Sequence, residues 1–129
     1  MSYRRLMRTE DVGDLRVQYL DAEGPVISTN EDTSDLIGNA WVDGANVMAV
    51  PVARLDPSFF ALSSGLLGEV TQKVVNYQLK LAVIGDISAA MTASKPFADY
   101  VWETNRGEHI WFFDDEAALV AKLTGRSGR

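Results

Sequence analysis

The strongest hydrophobic pattern in the chain runs from Asp56 to Ser88, DPSFFALSSGLLGEVTQKVVNYQLKLAVIGDIS. Leu66, Leu67, Val70, Val74, Val75 and Tyr77 recur at helical spacing and predict an amphipathic helix with a broad apolar side. Glu69, Gln72, Lys73 and Asn76 fall at i, i+3, i+4 and i+7 and form its polar stripe, with Glu69 and Lys73 in the favourable order for an ion pair. Ser63 or Ser64 is placed to cap this helix, because a serine oxygen accepts an orphan backbone N–H. Gly65 and Gly68 are poor helix formers, costing about 1 kcal/mol each relative to alanine. Two of them in a first turn point to close approach by another backbone, a ligand or a partner. After a turn at Gln78, Leu79–Ile84 is apolar nearly throughout, the pattern of a strand covered on both faces.

The flanking segments follow the same logic. Residues 1–14 are polar and mixed in charge and read as a loose N-terminal arm carrying Arg4, Arg5 and Arg8. Leu15–Leu20 alternates as a strand with one wet face, and Pro25–Ser28 reads as a second strand pairing with it across Asp21–Gly24. Thr29 or Asn30 starts a helix, with Glu31, Asp32 and Asp35 near the positive dipole end and Leu36, Ile37, Ala40 and Trp41 as the buried face. Asp43-Gly44 stops it. Val47–Val50 is a strand closed by Pro51, and Ile87–Ala93 reads as a loop. Ser94 caps a helix with Pro96 in its first turn. Phe97, Tyr100, Val101 and Thr104 of that helix face the core, Trp102 lies at its margin, and Gly107 supplies a left-handed cap. His109–Phe113 is a further strand, and Asp114-Asp115-Glu116 opens a last helix reaching Gly125. The order β-β-α-β-α-β-α-β-α predicts one α/β domain over residues 15–125, with residues 126–129 as a flexible tail. Its sheet is mostly parallel and five-stranded, with an antiparallel N-terminal edge hairpin, right-handed crossovers and about four helices.

Composition narrows the function classes. The 129 residues carry a formal charge of −6 and include no cysteine, which argues against general nucleic-acid binding and rules out disulfides, thiol catalysis and thiolate metal sites. No apolar run approaches the roughly 20 residues of a membrane helix, and the start has no apolar signal core. A cytoplasmic protein without membrane insertion is the expectation. His109 is the only histidine, lacks a second ligand at metal spacing and has no Ser-His-Asp partners, so it reads as structural. Trp41, Trp102 and Trp111 read as core or half-buried packing. No cofactor and no metal are expected.

Two sets of residues carry the chemistry that remains. Ser63 and Ser64 at a helix start could take or bind a phosphate, since free N–H groups and the dipole favour anions there, or could be ordinary caps. The carboxyl ends of the strands should gather a polar rim of Ser28, Asp86, Ser88 and Asp114, beside Pro51. Asp86 either orients a ligand there or bonds the backbone of Ser88. Glu103, Asn105 and Arg106 form a polar cluster beside the central helix or serve as helix-end caps.

The element order and the run Ser63-Ser64-Gly65-Leu66, followed by LKLAVIGDIS and FDDEAALVAKL, resemble the STAS domain of anti-anti-sigma factors and sulfate-transporter tails. The resemblance covers roughly Leu15 to Leu123 and implies that fold. It places the family's phosphorylation site at Ser63, although the signature aspartate before it is Leu62 here. FFALSSGLLGEVTQKVVNY, LAVIGDIS, FADYVWETNRG and IWFFDDEAAL resemble, more specifically, a small bacterial family described only as a domain of unknown function. Together these point to a non-enzymatic regulatory module that docks a protein partner through Ser63, Ser64, Gly65 and the stripe Glu69, Gln72, Lys73 and Asn76. A homodimer through the hairpin edge is a further route. The alternative is a metabolite- or anion-binding protein, or a minor enzyme, using the strand-end rim.

Overall fold

A strand stands where the sequence pattern suggested an arm. The computed structural model describes residues 7–125, and within them Met7–Val12 forms β1, antiparallel to β2, Leu15–Leu20. The expected roles of Arg4, Arg5 and the tail 126–129 lie outside the described residues. β1 was hidden because its middle, Arg8-Thr9-Glu10-Asp11, is exposed and charged, the composition that protects a sheet edge from further pairing. The hairpin partner expected at Pro25–Ser28 is not a strand. Ile27 makes a single parallel bridge to Leu55, Pro25 has no N–H to give, and the Ser28 N–H goes to the Asp32 carboxylate.

The remaining strands are β3 Val47–Pro51, β4 Lys80–Ile84 and β5 Ile110–Phe113. They add to the hairpin in chain order, β1-β2-β3-β4-β5, each parallel to its predecessor from β2 onwards. Five helices connect or follow them: α1 Asn30–Val42, α2 Leu66–Asn76, α3 Ser88–Ala93, α4 Lys95–Thr104 and α5 Glu116–Leu123. The mostly parallel sheet with its antiparallel edge hairpin is as the pattern predicts. The expected loop at Ile87–Ala93 is instead α3, whose Ala90 and Met91 pack against the core.

Both sheet faces are apolar but unequally covered. Met48, Val50, Leu81, Val83, Ile110 and Phe112 point to one side and pack under α1, α2 and α4. Phe97 is fully buried there, with the rings of Phe60 and Phe112 edge-on at 5.6 and 5.7 Å. On the other side Val17, Tyr19, Val47, Ala49, Ala82 and Trp111 pack against Leu119 of α5. Cations complete that cover: the Arg8 guanidinium lies 4.2 Å from the Tyr19 ring centre, and the Lys122 and Lys80 ammonium groups lie 5.2 and 5.5 Å from Trp111. Trp111 is thus core, whereas Trp41 and Trp102 are 59% and 68% exposed and correct the expectation of burial. Trp41 falls one residue beyond the buried Ala40, which turns it away from the sheet and edge-on to the exposed Tyr77 at 6.3 Å.

Helix ends are set by local chemistry. Thr29 caps α1 in a reciprocal box with Asp32, Ser94 caps α4, and Asp115 caps α5. The left-handed cap expected at Gly107 is absent. Asn105, still right-handed at φ −65°, ends α4 and accepts the Phe112 N–H at 2.7 Å, while Thr104 donates to the Ile110 carbonyl at 2.9 Å. α1 and α2 close with the same pair of bonds. Gly44 donates to Trp41 and Ala45 to Ala40 at the first, Gln78 to Val75 and Leu79 to Val74 at the second. The residue after the cap must be left-handed in this motif. Gly44 takes φ +74° freely, but Gln78 is held at φ +59° against its Cβ. Gln78→Gly should therefore stabilise the domain by about 1 kcal/mol, measured as a rise in the urea midpoint at constant slope.

Candidate functional site

The start of α2 is built by two successive 3₁₀ turns, Pro57–Phe60 and Leu62–Ser64. Asp56 opens the first by accepting the Ser58 N–H and hydroxyl at 3.0 and 2.7 Å. Ser64 then ties the turns together: its hydroxyl donates to the Ser58 carbonyl at 2.7 Å and accepts the Leu66 N–H at 3.2 Å. Gly65 stands at φ +81°, a reversal between turn and helix that a side chain would strain. The N-cap of α2 is Gly65, which has no side chain to bond, so neither serine is the cap; Ser64, one residue ahead, holds the Leu66 N–H by a turn bond. Ser63 is exposed, and its hydroxyl has no partner among the described residues. A Cβ added at Gly65 or Gly68 would meet nothing within 4 Å, so no neighbouring segment of the domain presses on either glycine. A groove of about 530 Å³ precedes them in the chain, bordered by Pro57, Phe60, Leu62 and Ser63 and by Ala93 and Pro96 of α3 and α4, and neither glycine lines it.

The polar stripe is only partly as the spacing suggests. Glu69, Gln72 and Asn76 are exposed, but Lys73 does not pair with Glu69. Its ammonium crosses to the Asn30 carboxamide at the start of α1, because the packed helices bring that oxygen nearer. The strand-end rim is spent locally. Ser28 gives its N–H to Asp32 at 3.0 Å, and Ser88 gives both N–H and hydroxyl to Asp86 at 2.9 and 2.6 Å. Asp114 borders a separate groove beside Trp102, Arg106 and Ala118. Asn105 acts as a tie to β5, and Arg106 lies over Trp102 at 5.9 Å. His109 is exposed. Among the described residues no group of three or more histidine, aspartate or glutamate side chains could hold a metal ion.

Three buried polar residues escaped the sequence pattern; Thr33 of α1, 1% exposed, donates its hydroxyl to the Thr29 carbonyl at 3.0 Å. Arg54 is 7% exposed; its guanidinium donates to the Pro25 carbonyl at 2.7 Å and the Asp21 carbonyl at 3.0 Å, pinning the loop between β2 and α1. Gln18, a polar position in the alternation of β2, is 1% exposed beneath α1. Its Nε2 donates to Asp43 at 3.0 Å, while its Oε1 is closed from solvent without a partner among the described residues. Leaving such an acceptor unpaired costs about 1–3 kcal/mol. Its one sequence signal was the position of a lone amide in the otherwise apolar run Val17–Leu20.

The family model described as Domain of unknown function (DUF4180) matches residues 12–123. The chain belongs to this family. No curated protein and no solved structure matches it. The DUF4180 span takes in the α2 start, the stripe, the rim, Gln18 and Arg54, and leaves outside it only the first five residues of β1 among the strands.

The turns of this DUF4180 domain depress several carboxyls. Backbone N–H groups of Ser28 and Thr29 hold Asp32 below the ordinary carboxylate range, and the hydroxyl and N–H of Ser88 do the same for Asp86. A depressed folded-state value means the unfolded chain binds more protons in acid. The stability from these turns is present at neutral pH and is lost as pH falls through the carboxylate range. Asp32→Asn should therefore flatten the acid limb of a stability-versus-pH curve measured by urea denaturation. The two serines should also separate: Ser64→Ala lowers stability by about 1 kcal/mol, while Ser63→Ala stays within about 0.5 kcal/mol of the parent, read by the same denaturation.

Proposed function

We propose that this chain is a non-catalytic, STAS-like regulatory module that docks a protein partner at the turn preceding α2. The observation that carries the reading is the apolar groove of about 530 Å³ with the unbonded Ser63 hydroxyl at its lip. Leu62, 36% exposed, adds apolar surface beside it. The open Cβ positions at Gly65 and Gly68 give a partner's backbone room to lie close to the helix start. The STAS resemblance implies a phosphorylation site at Ser63, with Leu62 in place of the family's signature aspartate. A phosphate there would bring about −1.5 to −2 charges to the lip of an apolar groove and oppose docking.

Gly68→Arg tests the reading without harming the fold. The site is exposed and sterically open, and in the first turn of α2 the gain of up to about 1 kcal/mol from replacing glycine offsets the cost of a cation near the positive end of the helix. The thermal midpoint should hold or rise. Crosslinking mass spectrometry in cells should show the parent chain joined to a defined protein through residues near Ser63, and that product should vanish in Gly68→Arg. An identical set of crosslinks from both chains would sink the docking site.

A further inference from the structure

A second groove, of about 430 Å³, lies between α1 and the N-terminal hairpin. We propose that it is a binding site for a small primary ammonium compound with an apolar body. The site is separate from the α2 start, so the two readings stand or fall independently.

Gln18 gives the groove its chemistry. The Asp43 carboxylate can only accept, so it fixes the Gln18 amide with Nε2 toward Asp43. Oε1 must then face the other way, and it is buried without a donor among the described residues. Gln18 lines the groove from the sheet side. Opposite it, Asp32, Asp35, Leu36 and Asn39 recur at i, i+3, i+4 and i+7 and present one stripe of α1. Asp35 has no partner among the described residues. Among the described residues the cation bordering the groove is Arg54, which is engaged by the Pro25 and Asp21 carbonyls. The groove therefore offers the unpaired Asp35 carboxylate and the Asp32 oxygen left over from its bonds to the Ser28 and Thr29 N–H groups to a positively charged ligand, with the unpaired Gln18 Oε1 in its floor, where a donor reaches it once the side chain turns. An anion would face both carboxylates. Leu20, Ile27 and Leu36 supply apolar contact for a short hydrocarbon or ring, and the volume falls in the range of small-molecule sites, about 300–1,000 Å³.

The test uses the full chain, ¹⁵N-labelled, titrated with 2-phenylethylammonium and, separately, with phenylacetate and 2-phenylethanol as matched anionic and neutral probes. Saturable shifts of the Gln18 side-chain amide and of the Asp35 and Leu36 backbone amides are expected with the ammonium compound, and weaker or no response with the other two. Gln18→Leu should bind the ammonium probe roughly tenfold more weakly, and Asp35→Asn, on an exposed helix position, should also weaken it if the Gln18 variant does not fold. No saturable shift at tens of millimolar would overturn the proposal. So would equal binding of phenylacetate, or unchanged affinity in both variants. Contacts from residues 1–6 to Leu36 in the probe-free chain, seen as nuclear Overhauser effects, would overturn it by filling the groove from within.

Discussion

The constraint beneath this architecture is the hand of the crossover. A strand followed by a helix and a parallel strand closes right-handed in nearly every fold. When strands add in simple chain order, as β2 to β5 do, every crossover helix must return over the same side of the sheet. That is why α1, α2 and α4 share one core with Met48, Leu81 and Phe112. α5 follows the last of the described strands and covers the opposite face. The same rule leaves β1 without a helix of its own, because it joins β2 by a tight turn rather than a crossover. The open groove beside α1 is a consequence of that connection.

Much of this was legible in the sequence because the parallel strands bury both faces and read as continuous apolar runs. Leu79–Ile84 and Ile110–Phe113 declare themselves in that way, and Thr29, Ser94 and Asp115 announce their helices through capping chemistry. β1 did not, since an edge strand is selected to look unlike a strand, with Arg8, Glu10 and Asp11 in water. Trp41 misled for a different reason. At helical spacing a tryptophan next to Ala40 fits the apolar stripe, and only the tilt of α1 on the sheet decides which of the two goes inside.

The candidate site divides along the same line. Local hydrogen bonds could be anticipated, and Ser64, Asp86 and Ser88 are bound within their own turns. Contacts set by packing could not. Lys73 meets Asn30 across two helices that are distant in the chain, and Gln18 is buried because α1 lies over it, not because of any property of its neighbours in β2. The exposed Ser63 and the open space at Gly68 are likewise facts of tertiary arrangement that a one-dimensional pattern leaves undetermined.

The solitary position of α5 shapes how the molecule breathes. The helices of the thicker face are each threaded between two strands, so none can leave without tearing the sheet. α5 follows the last strand and seals the other face through Leu119, Trp111 and a few overlying cations. Fewer buried side chains hold this helix than hold α1, α2 or α4, so its amides are expected to exchange faster than those of β3 and β4. Opening of α5 would uncover Trp111 and Leu119, which are 2% and 0% exposed in the closed fold.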